Sequence, residues 1–180
     1  VRAARIPLLA LLPLVLAGCG GDGGADSSTP APEPTASTSD AAFWNPCDGL
    51  VLGPVQRALG AGLRADRGTD DVPRCALLPR QEGGAVLDVN YTAFAGTLDE
   101  AWEAMGAPDD GSVTEPEIPE ADDARLVVDA GSEVLGVTGF VQRGGFVVLV
   151  NAADTTPYDR QRVVDAVRVV MTQVAGDAPQ

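Results

Sequence analysis

Residues 133–151 read EVLGVTGFVQRGGFVVLVN, and this stretch decides the fold. In its first half Val137, Gly139 and Val141 alternate with Thr138, Phe140 and Gln142, the two-residue period of a strand. Arg143-Gly144 then supplies a tight hairpin connection. The run that follows, Gly145 to Val150, is continuously apolar, which suits a central strand covered on both faces. Gly131, Gly136 and Gly139 do not have dinucleotide-fingerprint spacing, so within strands they mark bulges or close backbone approach.

Periodicity extends this core in both directions. Downstream, Thr156-Pro157 begins a helix to about Val174, with Val163, Val167, Val170 and Val174 as its stripe, widened by Val164 and Met171. Arg160, Arg162 and Arg168 lie largely off that stripe. The β-branched content is high, so packing rather than propensity must hold this helix. Upstream, Arg125 to Asp129 and Arg74 to Pro79 read as short strands. Ala85 to Phe94 alternates, with Leu87, Val89 and Tyr91 on the core side. Thr97-x-x-Glu100 is a capping box, opening a helix that shares Leu98, Ala101, Trp102 and Met105 on one face and ends at Gly106 and Pro108. Pro54 sits at the first position of a short helix, Gly53 to Gly60, carrying Val55, Ala58 and Leu59. The resulting order predicts an α+β domain over residues 41–180: an antiparallel sheet with helices packed on one face, and one disulfide.

The first forty residues differ in kind. A basic start, Val1 to Arg5, precedes the apolar run Ile6 to Leu16 and the tetrad Leu16-Ala17-Gly18-Cys19. A run of about eleven residues is far short of a membrane span, and the pattern is that of a secretory signal peptide. The LAGC tetrad resembles the lipobox of bacterial lipoproteins. That resemblance implies a signal peptide over residues 1–18, diacylglycerol attachment to the Cys19 thiol and acylation of its amine. Residues 19–40 are then the lipidated Cys and a Gly/Ser/Thr/Pro tether with no large apolar side chain, too polar to offset its ordering entropy. As a coil such a tether spans ~25 Å. It carries Asp22, Asp26, Glu33 and Asp40 and no cation, so lipid must do the anchoring. The expected location is the extracytoplasmic face of the cell membrane.

Composition excludes several functions. The chain of 180 residues holds 12 cations, all Arg, against 26 acids, and no His or Lys. No Ser-His-Asp triad, His-ligated zinc, Schiff-base lysine or Walker-type lysine can be built. A net charge of −14 argues against a nucleic-acid partner. Export places Cys47 and Cys75 in an oxidising compartment, where a disulfide is the default. The segment Asp109 to Asp123 has seven acids, but no EF-hand spacing, and reads as a solvated loop. Asp129 and Glu133 are the acids expected to be least committed to solvent, and Ser112 and Ser132 lack a Lys or His base. The Asn90-Tyr91-Thr92 sequon falls on an expected strand, and Trp44 and Trp102 read as packing residues. No catalytic residue, metal ligand or cofactor is expected.

Asn45-Pro46-Cys47, the segment Pro54 to Leu59-Gly60, and the later Cys75 form a recognisable run. It resembles small secreted actinobacterial lipoproteins of domain-of-unknown-function families, and is distantly similar in layout to the extracellular sensor domains of PknH-type receptor kinases. The resemblance implies the α+β fold and the Cys47–Cys75 bridge, and no catalytic residue. The expected function is a non-catalytic, lipid-anchored ectodomain whose partners are the membrane, through its anchor, and an envelope protein or small amphipathic ligand. The alternative is a carrier of an apolar molecule or lipid in an internal cavity.

Overall fold

The computed structural model describes residues 44–106 and 112–180. Residues 1–40, over which a leader and a tether are expected, lie outside them with Cys19, as do the first residues expected for the domain, 41–43. The elements run α1 (Leu52–Leu59), β1 (Leu63–Thr69), β2 (Val72–Pro79), β3 (Val86–Ala93), α2 (Leu98–Met105), β4 (Val113–Thr114), β5 (Asp123–Ala130), β6 (Val134–Arg143), β7 (Phe146–Thr155) and α3 (Arg160–Asp177). All seven strands join one antiparallel sheet in the order β1-β2-β3-β7-β6-β5-β4. The protein is α+β, as its periodicity requires.

β7 is the central strand, with β3 paired along one side and β6 along the other. Val148, Val150 and Ala152 point into the main core, and Val147 and Leu149 into a smaller cluster on the opposite face. Register carries the main-core face across the sheet: Cys75, Val89, Val150, Gly139 and Leu126 stand in one row. α1 and α3 cover this face. Val163, Val167, Val170, Met171 and Val174 of α3 are fully or almost fully buried there. At Gly139 the helix comes so close that a Cβ would stand 2.5 Å from Met171 Sδ and 3.1 Å from Val167 Cγ1. That position is glycine because the backbone approach leaves no room for a methyl group.

The helices do not all share that face: α2 lies on the other one. Its Leu98, Ala101 and Trp102 are buried with Phe140 and Val147. Trp102 and Phe140 meet edge to face at 4.9 Å. The connection from β3 to the far edge strand β4 must cross the sheet. A strand apolar on both sides needs this second cover.

Several bounds differ from the sequence reading. α3 begins at Arg160 rather than Thr156-Pro157, because the Asp159 side chain caps the helix by accepting from the Arg162 amide. The Thr156 hydroxyl instead bonds to the carbonyls of Ser132 and Glu133. β7 continues to Thr155, held by β6 pairing through Val134↔Thr155. β1 had no counterpart in the sequence pattern. It is an edge strand whose one buried side chain is Leu63, so LRADRGT carries almost no periodicity.

The disulfide joins Cys47 to Cys75, tying the segment before α1 to β2. The Asn45-Pro46-Cys47 run folds into a side-chain turn: Asn45 Oδ1 accepts from the Cys47 amide at 3.0 Å, and its Nδ2 donates to the Arg67 carbonyl at 3.0 Å. Trp44 packs on Tyr91 at 5.2 Å, and its indole donates to Asp177 at 2.9 Å.

Two substitutions test this packing. Cys47→Ser opens a loop between residues 28 apart, and should lower stability by about 2–5 kcal/mol in denaturant unfolding. Gly139→Ala should cost about 1–3 kcal/mol by overpacking against α3, whereas Gly145→Ala, with nothing within 4 Å, should not.

Candidate interaction surface

α2 covers only part of its sheet face. Three devices fix it there. Thr97 and Glu100 form the expected capping box, with both reciprocal bonds made. Gln142 of β6 clamps the entry to the helix, its amide oxygen accepting from the Leu98 N–H at 2.7 Å and its Nε2 donating to the Gly96 carbonyl at 2.7 Å. Arg125 of β5 lies over the Trp102 ring at 4.8 Å while paired with Asp99.

Beyond α2 no helix of the described residues covers the same face, and its middle is polar. Register sets Ala76, Asp88, Asn151 and Thr138 side by side across four strands. Asp88, Asn151 and Thr138 are half-buried by their neighbours. Thr138 and Asn151 bond at 3.2 Å, and Asn90 donates to Asp88 at 3.1 Å. The Arg74, Asp88 and Asn90 side chains reach the same cleft, about 410 Å³, with Asp71, Val72 and Pro73 as its rim. One row on, Val86 pairs with Ala153 and Ala153 with Gly136. The Val86 and Val134 side chains remain 40% and 49% exposed. This half of the sheet therefore offers a carboxylate, two carboxamides, a hydroxyl and an arginine beside exposed valines. Such a set combines hydrogen-bonding groups with apolar contact area.

The other clefts follow loops. One of about 570 Å³ runs along Glu115 to Ala124, and one of about 550 Å³ lies by Asn45, Arg67 and Pro73. Among the described residues no group of three or more acids or cysteines is gathered as a metal site requires. Within the acidic stretch, Asp109 and Asp110 lie outside the described residues. Glu120 pairs with Arg143 and Asp122 accepts from the Gly144 amide at 2.6 Å, so both strap the loop to the β6–β7 hairpin.

Asp129 and Glu133 are both exposed, which corrects the expectation that they were the least solvent-committed acids. They sit where β5 turns into β6, at the end of the sheet. Ser132 is exposed in that turn, and Ser112 lends its carbonyl to the Val128 amide. Cys47 and Cys75 form the expected bridge, while Cys19 lies outside the described residues. Asn90 is half-buried on the same face, opposite Leu149 and beside the polar row, where it donates to Asp88. Sequence reasoning missed the row itself. The alternating positions Asp88, Asn90, Thr138 and Asn151 were visible as the polar side of strands, but only the strand order brings them together.

No family model matches the chain, and no curated protein matches it. Among solved structures it is similar to a GTP-binding regulator from Thermotoga maritima, with 11% sequence identity and a TM-score of 0.32 over 76% of this chain and 95% of that one. At that level of likeness no property passes from that protein to this one.

The Gln142 clamp can be tested alone. Gln142→Ala leaves the Leu98 amide and Gly96 carbonyl without their partner, at a cost of about 1–3 kcal/mol. Hydrogen exchange should accelerate in α2 while the amides of α3 keep their protection.

Proposed function

We propose that this chain is a non-catalytic lipoprotein of the cell envelope, anchored through Cys19, whose domain binds a partner outside the cytoplasmic membrane. The observation that carries the binding half is the open sheet face, where Asp88, Asn151 and Thr138 stand in one row beside exposed Val86 and Val134. Antiparallel sheets tolerate one wet face, so the polar row alone is ordinary. The pairing of that row with exposed valines and a cleft containing Arg74 suits a protein surface better than bulk water. The anchor half rests on the LAGC tetrad and the polar segment after it. Among the described residues no helix is long and apolar enough to cross a membrane.

The carrier alternative asks for an apolar cavity. The close approach of Met171 and Val167 to Gly139 fills the core beneath α3 and favours the partner-binding reading there.

Two experiments separate the halves of the proposal. Cys19→Ala should shift the protein from the membrane fraction to the medium or soluble envelope fraction, and the wild-type N-terminal peptide should carry acyl mass on Cys19. Retention of the variant on membranes overturns the anchor. A photo-crosslinker at Asn151 should trap one discrete partner in intact cells, and Val86→Arg, at an exposed position of the same face, should abolish the product without lowering the melting temperature. Native mass spectrometry of the protein with envelope lipid extract should show no lipid in the domain, and a discrete adduct would favour the carrier.

A further inference from the structure

The helix layer carries charge of a different sign from the rest of the domain. α1 and α3 run antiparallel over the sheet. At one end the Val51 amide donates to Gln173 Oε1 at 2.6 Å, and at the other a Cβ on Gly60 would meet the Arg162 guanidinium at 2.5 Å. Arg57, Arg160, Arg162 and Arg168 are all exposed on these helices. α1 has no acid. The acids of α3 and its cap are Asp159, Asp165 and Asp177, and each already has a partner: Arg162, the Gln161 amide and the Trp44 indole. Arg57, Arg160 and Arg168 make no ion pair with any described residue. The Gln161 and Trp44 donors are neutral and leave Asp165 and Asp177 charged, so the layer holds four arginines against three acids, while the rest of residues 41–180 holds six arginines against nineteen acids; the layer is the locally cationic part of an acidic domain.

We infer that the α1/α3 face rests on the anionic lipid headgroups of the membrane that holds the protein. This builds on the reading of Cys19 as a lipid anchor. Arg57, Arg160 and Arg168 supply the charge complementarity, and Val51, 63% exposed beside α1, adds an apolar contact. The net negative charge of the domain does not prevent this. At physiological ionic strength the screening length is about 8 Å, and a helix with its side chains is about 10–12 Å across. Carboxylates on the open sheet face are therefore screened from a surface touched by the helices. Trp44, the first described residue, is bonded to Asp177 at the C-terminal end of α3. The chain thus enters the domain at the rim of the same layer. With the helices turned to the membrane, the polar row of the sheet faces outward.

The test uses the full-length lipidated protein in phosphatidylcholine vesicles, with or without phosphatidylglycerol. Arginines are labelled with phenylglyoxal and read individually by peptide mass spectrometry. Arg57, Arg160 and Arg168 should react at least about threefold more slowly in the anionic vesicles, and recover at high salt. Arg74, on the open sheet face, should react equally in both. Equal rates at Arg57, Arg160 and Arg168 overturn the inference. So does equal protection of these residues in both vesicles, which would assign the face to a protein partner or a second copy. The same digest weighs the Cys19 peptide, so failure of the anchor is read separately. Without acyl groups on Cys19, direct binding through this face would still appear as protection in the anionic vesicles alone.

Discussion

β7 is apolar on both sides, and most of the architecture follows from hiding it. One side is hidden by the largest helix, α3, with its stripe of valines and Met171. The other is hidden by α2, which brings Trp102 and Leu98 onto Phe140 and Val147. Both covers depend on strand order: β7 lies between β3 and β6, so the two halves of the chain meet at its edges. α3 is poor in intrinsic propensity and stands because this strand gives it a floor. The constraint is also local, since at Gly139 the helix rests on bare backbone.

Much of this was legible in residues. The two-residue alternation in Ala85 to Phe94, the capping box at Thr97 and the valine stripe of α3 each mark one element and its buried side. The bridge was legible from the expected export and from two remaining cysteines. The position of α2 was not read correctly, although the information was there. A run apolar on both faces and helices confined to one face are incompatible, and the run decides. β1 was illegible for a different reason. An edge strand with one buried leucine has no pattern to display, and only its pairing with β2 defines it.

The candidate surface was less legible than the fold. Asp88 and Asn90 precede Thr138 and Asn151 by 48 to 63 residues, and nothing in either segment announces the other. Their proximity is a product of the β3–β7–β6 order. The acids that looked most available for chemistry, Asp129 and Glu133, owed that appearance to a nearby strand start and proved to be ordinary turn-end residues in solvent. The sheet therefore has two differently used faces. One is closed by the two helices that bear unpaired arginines, and the other is divided between α2 and an open polar row.

The bridge between Cys47 and Cys75 also determines how the domain would bear a load. A domain tethered at its N-terminus and held by something else at its sheet is pulled from both ends. Tension entering at Trp44 reaches Cys47 and passes through the sulfur atoms into β2, one strand in from the edge and next to β3. Residues 48–74, with α1 and the edge strand β1, lie on a slack branch parallel to that path. The least protected edge of the sheet is thus removed from the line of force, which instead crosses the three-residue pairing of β2 with β3 and then the eight-residue pairing of β3 with β7.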